Sequence, residues 1–215
     1  MIVIVDYGVG NVGSIFNMLQ KIGAPACMSS DAERIRSATK LILPGVGHFD
    51  AAMTSLNNSG LKSAIEEAVH NKLTPILGIC VGMQIMTKAS EEGSQSGLGW
   101  ISAHTKHFDF QNLDKKPRLP HIGWNYVSAV KQHFLSHRLQ KDPRFYFVHS
   151  FHVVCEDAED VLLKAKYGVE FSAAFASKHI CGVQFHPEKS HKYGMQLLRG
   201  FAGLVEQQRE ALATI

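Results

Sequence analysis

Cysteine is scarce in this chain: its 215 residues hold four, Cys27, Cys80, Cys155 and Cys181, and no two stand in a C-x-x-C arrangement. That spacing suggests neither a zinc knuckle nor a thioredoxin-type pair, and a chain of this length builds a core without disulfides. Charge of one sign is also lacking. Lys plus Arg number 22 and Asp plus Glu 19, a net +3 with histidine neutral, and like charges form no run. No nucleic-acid footprint is expected from that balance. No stretch reaches the about 18 apolar residues of a membrane span, and Met1-Ile2-Val3-Ile4-Val5-Asp6 lacks the basic lead of a signal peptide. The expected compartment is a reducing cytoplasm. What is present is 45% hydrophobic and 19% charged residues, the composition of a globular protein. A chain of this size buries roughly 70% of its unfolded surface, so its core needs no metal or disulfide to hold it.

Three early apolar runs have the length of strands: Ile2 to Val5, Leu41 to Leu43 and Pro75 to Ile79. Each ends in a glycine-bearing turn and leads into helical spacing, with Ile15, Met18, Leu19 and Ile22 after the first. Phe49, Met53 and Leu56, then Leu61, Ile65 and Val69, follow the second; Met83 and Met86 follow the third. Unbroken apolar strands alternating with amphipathic helices predict an open, mostly parallel central sheet with helices on both faces. Trp124 to Val127, Phe145 to Val148, Val161 to Ala165, Phe171 to Phe175 and Ile180 to Val183 are short strands in close succession, expected as an antiparallel extension. Phe108 to Pro120 reads as an exposed loop, and a last helix is expected from about Lys192 to Glu210. One α/β domain over residues 1–215 is the expectation.

Gly8-Val9-Gly10-Asn11-Val12-Gly13 fits G-x-G-x-x-G after a strand, and Asp31 stands where a ribose-binding acid would. Tight glycine turns follow strands in many α/β folds, however, and 215 residues leave little for a separate substrate domain. No dinucleotide or other cofactor is expected. His133 and His137 are four apart, but Phe134, Leu135 and Ser136 between them suggest no metal site.

Gly78-Ile79-Cys80-Val81-Gly82 ends a buried strand and opens a helix, the form of a nucleophile elbow with cysteine in place of serine. Glycines two residues either side leave room for a sharp turn that exposes the sulfur at the helix N-terminus, where unpaired N–H groups favour thiolate. The Val81 N–H would then point at an oxyanion formed on an attacked carbonyl. A thiol nucleophile needs a base, and the base an orienting partner. Among twelve histidines, His186 stands out in Cys181-Gly182-Val183-Gln184-Phe185-His186-Pro187-Glu188. A strand ends there, proline stiffens the turn, and Glu188 is close enough to accept from the imidazole. Cys27, Cys155 and Cys181 are expected to be structural, and His48, His70 and His191 to be surface or satisfied polar residues.

These residues together resemble a class I (triad) glutamine amidotransferase. More narrowly, Asp6 to Asn11, Leu43 to Gly47, Gly123-Trp124-Asn125, Tyr146 to Ser150 and Gly182 to Ser190 resemble the family of glutaminase subunits of imidazole glycerol phosphate synthase, of histidine biosynthesis. The segments span nearly the whole chain in the family's order. The resemblance implies a Cys80, His186, Glu188 triad acting on L-glutamine, with oxyanion donors at Val46 and Val81. It implies glutamine held by Gly47, Gln84, Glu91 or Glu92, His149 and Ser150. It further implies a (β/α)8-barrel cyclase partner, forming a heterodimer through Asn11, Trp124 and Lys189, that takes up the ammonia. Two positions depart from the family: Ile122 replaces a usual methionine and Phe151 a usual tyrosine. Relatives that feed ammonia to sugar-modifying synthetases of surface-polysaccharide pathways share the scaffold, and a stand-alone cysteine γ-glutamyl hydrolase on it is the other alternative.

Overall fold

The computed structural model describes residues 1–204. Its first half contains the three strands that the apolar runs predict, with a further strand at 26–29 and a helix at 32–36 that they do not. Strands β1 (Ile2–Val5), β2 (Ala26–Ser29), β3 (Lys40–Gly45) and β4 (Ile76–Cys80) are separated by helices α1 (Val12–Lys21), α2 (Ala32–Arg36), α3 (Phe49–Asn58) and α4 (Lys62–Glu66). A π-helical turn, Glu67–Asn71, carries the Leu61, Ile65, Val69 face on to the chain's next strand. The helix after Cys80 is shorter than Met83 and Met86 suggest: α5 covers only Val81–Gln84. Then come β5 (Ala103–His107), β6 (His121–Tyr126), β7 (Ser128–Ala129), β8 (Arg144–His149) and β9 (Phe151–Cys155). The last strands are β10 (Val161–Tyr167), β11 (Val169–Ser177) and β12 (Ile180–Val183), and α6 (His191–Ala202) closes the described chain. The expected continuation of the last helix to Glu210, with Val205, lies outside the described residues.

The main sheet has ten strands, ordered β2-β1-β3-β4-β12-β11-β10-β7, with β9 and β5 joined beside β11. The strands β2, β1, β3, β4 and β12 run parallel, and the antiparallel strands extend from β11 outward. Helices cover this sheet in two groups, α1 against α6 and α2 against α4. The α/β architecture with an antiparallel extension is therefore as expected, but its membership differs.

The strand Ile180–Val183 belongs to the parallel block, not to the extension. Its unbroken burial is the mark of a central parallel strand. In contrast, β6 and β8 pair only with each other, as a two-stranded sheet. Both alternate less and more accessible positions, so one face looks inward and the other outward. The Phe108 to Pro120 segment is also not wholly exposed. Phe108 and Phe110 are buried, stack on each other and reach Tyr167. Among the described residues, no helix is long and apolar enough to cross a membrane.

Candidate active site

Two neighbouring parallel strands bring the distant halves of the site together. β4 and β12 pair Ile79 with Val183, so Cys80 and the residues after Val183 leave the sheet side by side at its C-terminal edge. β3 lies on the other side of β4 and pairs Gly45 with Cys80, which puts the Val46-Gly47 turn at the same level. Open α/β sheets bind ligands at this edge. A cleft of about 370 Å³ opens there, and its walls include Cys80, His186, Gln84 and Glu92.

The turn at Cys80 is a strained elbow. Its φ of 55° and ψ of −113° are unusual for a residue with a side chain. Glycine makes the turn possible on both sides. A Cβ on Gly78 would stand 2.7 Å from the Gly82 carbonyl oxygen, and one on Gly82 would stand 2.0 Å from the Leu43 carbonyl oxygen. The elbow thus rests directly on the β3 backbone. Because α5 is a single four-residue turn, its dipole is a weaker support for a thiolate than a full helix would supply.

His186 is buried, and its Nδ1 lies 2.7 Å from Glu188 Oε1. The carboxylate can only accept, so Nδ1 carries the proton and Nε2 is left to face the cleft. Nε2 has no hydrogen bond of regular geometry, and the Cys80 sulfur, which lines the same cleft, favours charge on the ring. Burial works against charge on this ring, yet Cys80 and Glu188 outweigh it and raise the His186 pKa to about 10. The ring is therefore suited to carry its proton as an imidazolium. Backbone hydrogen bonds fix the ring's loop: His186 N donates to Tyr146 O at 2.9 Å, and Ser190 Oγ donates to His186 O at 2.6 Å. Ser190 Oγ also accepts from Tyr146 N, tying the loop to β8.

The other cysteines are in different surroundings. Cys181 is fully buried and burial pushes its thiol far up, while burial first, and Asp160 next, raise Cys155 to about 11. Tyr7 reaches the elbow from β1: its hydroxyl donates to Pro44 O at 2.7 Å and holds the strand that leads to Val46. Burial, with the sulfur of Cys80 adding to it, pushes the Tyr7 hydroxyl above the usual phenol range. Sequence reasoning gave neither Tyr7 nor Ser190 a role; both sat inside quoted motifs without a distinguishing pattern.

Of the residues expected to hold glutamine, Gly47, Gln84, Glu92, His149 and Ser150 line the cleft. Glu91 is not in its wall and instead accepts from His107 N at 2.8 Å. Glu92 accepts from Phe49 N, which anchors it across the mouth from the elbow. Val46 and Val81, expected as oxyanion donors, both line the cleft, as does Lys189. Asn11 is exposed and caps α1 by accepting from Ser14 N. Trp124 is 43% exposed, stacked on His191 and under Arg144, rather than a core aromatic. Ile122 and Tyr126, two residues either side on the same strand, are each 59% exposed. Gly10 packs against Pro44, where a Cβ would stand 2.6 Å away, and Asp31 caps α2 by accepting from Glu33 N and Arg34 N.

Behind the cleft lies a chain of buried histidines. His149 Nδ1 donates to Phe151 O at 2.8 Å, so its Nε2 accepts from His121 Nδ1 at 3.0 Å, and His121 Nε2 accepts from Asn125 Nδ2. Burial lowers His149 to about 3 and His121 and His152 each to about 4. These rings stay neutral in the fold, whereas in the unfolded chain they take protons near 6.5. Unfolding therefore takes up protons between those values, and stability is full above 6.5 and lost as pH falls toward 4. Melting followed by circular dichroism should show Tm falling by about 10 °C or more from pH 7 to pH 5. A flat Tm over that window would show that the rings are already charged in the fold.

The class-I glutamine amidotransferase family profile matches residues 3–203. The imidazole glycerol phosphate synthase subunit HisH 2 of Methanococcus maripaludis is 51% identical over 201 residues, covering 94% of this chain and 98% of that one. The subunit HisH 2 of Pseudomonas aeruginosa is 48% identical over 205 residues, covering 95% and 100%. Among solved structures, a putative GMP synthase component from Thermoplasma acidophilum superposes with a TM-score of 0.70 over 98% of this chain and 96% of that one. At 21% identity it speaks to the fold alone. With a match over residues 3–203 and about half of its residues shared with such relatives, the chain belongs to the class-I glutamine amidotransferases, within the HisH family of imidazole glycerol phosphate synthase subunits.

Proposed function

We propose that this chain, as a single amidotransferase domain over residues 1–215, hydrolyses L-glutamine through Cys80, His186 and Glu188 and hands the ammonia to a partner subunit. The observation that carries the reading is His186, fixed by Glu188 at 2.7 Å and lining the same cleft as Cys80. The sulfur attacks the carboxamide carbon, and the negative charge on oxygen is met by N–H groups at Val81 and Val46. His186 gives its proton to the leaving nitrogen, ammonia departs, and a glutamyl thioester remains on Cys80. Water, deprotonated by the same ring, then releases glutamate. Glu188 holds the ring's tautomer and stabilises its cation. Glu92, rather than Glu91, holds glutamine, together with Gly47, Gln84, His149 and Ser150.

The proposed partner is a (β/α)8-barrel cyclase that makes imidazole glycerol phosphate and a purine precursor, a reading supported by relatives named as subunits of imidazole glycerol phosphate synthase. The exposed row of Ile122, Trp124 and Tyr126 on the outer sheet supports a docking face beside the cleft, with Lys189 at its rim and Asn11 capping α1, which packs against the 187–189 turn. An apolar row with aromatic residues is what an interface between subunits selects. Four cysteines without a disulfide fit the cytoplasm. Mixing the purified chain with the barrel cyclase and following glutamate release tests the reading. Expected is a stable heterodimer with glutaminase turnover raised on assembly, and loss of the heterodimer when Trp124 becomes glutamate. Full turnover by the lone chain with no barrel bound would favour a stand-alone γ-glutamyl hydrolase. Copurification with a sugar-modifying synthetase instead would move the chain to the polysaccharide branch, a choice that the exposed Ile122 is placed to influence.

A further inference from the structure

The residue that sits against the Cys80 sulfur besides His186 is Gln184. Its side chain is fully buried, and its Nε2 lies 3.8 Å from Cys80 Sγ. Amide nitrogen and oxygen are told apart only by their partners, and here the partners settle it. Phe151 O can only accept, so the Gln84 atom 3.2 Å from it is Nε2. The second N–H of that nitrogen meets Gln184 at 3.0 Å and requires an oxygen, Oε1. Gln184 Nε2 is then the end turned toward the sulfur. Phe151 O also accepts from His149 Nδ1 at 2.8 Å, so this shared carbonyl anchors the Gln84 amide whose other N–H fixes Gln184.

We propose that Gln184 is a further residue of the glutaminase site, whose side-chain amide donates to the Cys80 sulfur and stabilises it as thiolate. The inference rests on Cys80 being the nucleophile. It answers a deficit in the elbow: α5 is one turn long, and the sulfur of a cysteine only 4% exposed has little water to solvate its charge. A neutral donor supplies that stabilisation without a second positive charge competing with His186. It also explains why Gln84, expected to grip the substrate, has both amide hydrogens committed to the protein, leaving only its oxygen free for glutamine. The titratable groups facing the sulfur are His186 after β12 and Tyr7 after β1, with Glu188 behind the imidazole.

The test is the pH profile of Cys80 alkylation by iodoacetamide, followed at that residue by mass spectrometry without glutamine present. Two variants are compared with the parent: Gln184→Leu, which removes the donor, and Gln184→Glu, which keeps the shape and the acceptor facing Gln84. Each variant's Tm confirms that it is folded. The alkylation midpoint is expected to rise by about one pH unit in Gln184→Leu, with about tenfold slower labelling below it, and further in Gln184→Glu, where a carboxylate repels the thiolate. An unchanged midpoint in either folded variant overturns the role of Gln184, even if turnover drops. Parent Cys80 labelling no faster than Cys181 would instead overturn the nucleophile reading, and this inference with it.

Discussion

Replacing Cys80 by alanine should abolish glutamate release while leaving glutamine binding and the fold in place. In a triad whose members act as a unit, loss of the nucleophile costs on the order of 10⁶ in rate. The removed sulfur is small, and alanine occupies the same φ of 55° at the same backbone cost, so stability should barely move. Calorimetric titration with glutamine and a coupled glutamate assay, both on the heterodimer, separate the two effects. Residual turnover within about tenfold of the parent would mean that another group attacks. Glutamine binding lost along with turnover would mean that the sulfur positions the substrate rather than reacting with it.

The second large effect is expected at Gly82. A methyl group there would meet the Leu43 carbonyl oxygen at 2.0 Å, backbone against backbone with no flexible side chain to yield. Gly82→Ala must either push the elbow away from β3 or distort β3 itself, at about 3 kcal/mol or more. For a chain of this size that is a fall in Tm of about 10 °C, and the movement also displaces the Val81 N–H from the oxyanion position. Gly13→Ala is the control. Apart from its chain neighbours and its own helix backbone, no atom lies within 4 Å of a Cβ at Gly13, which sits inside α1, so alanine there should be neutral or stabilise by about 0.5–1 kcal/mol. Equal melting of the two variants would show that the close approach at Gly82 relaxes without cost.

The contrast between those two glycines shows how far sequence pattern carries. Gly13 completes a dinucleotide-type motif on paper yet needs no glycine, whereas Gly82 belongs to an elbow that does. Signals that depend on neighbours in the chain were legible. Ile2–Val5 and Ile180–Val183 have the bounds their apolar runs predict, and Glu188 reaches His186 because only one residue separates them. Signals that depend on packing were not. β5, Ala-His-Thr-Lys-His, carries too little apolar periodicity to read as a strand, and it forms because β9 offers a ladder. Adjacent Glu91 and Glu92 are alike in sequence; the turn sends one to His107 N and the other to Phe49 N.

By itself the sequence determined the α/β alternation, the glycine-flanked cysteine and the histidine with its carboxylate, because each is a matter of local spacing and backbone room. Only the tertiary structure decided that β12 inserts beside β4, since strand order is set by how the whole sheet buries its faces. That insertion closes the gap of more than a hundred residues between Cys80 and His186, and it delivers Gln184 to the sulfur. The outward β6–β8 sheet was equally beyond local reading, because which face of an alternating strand meets solvent depends on what the rest of the chain covers.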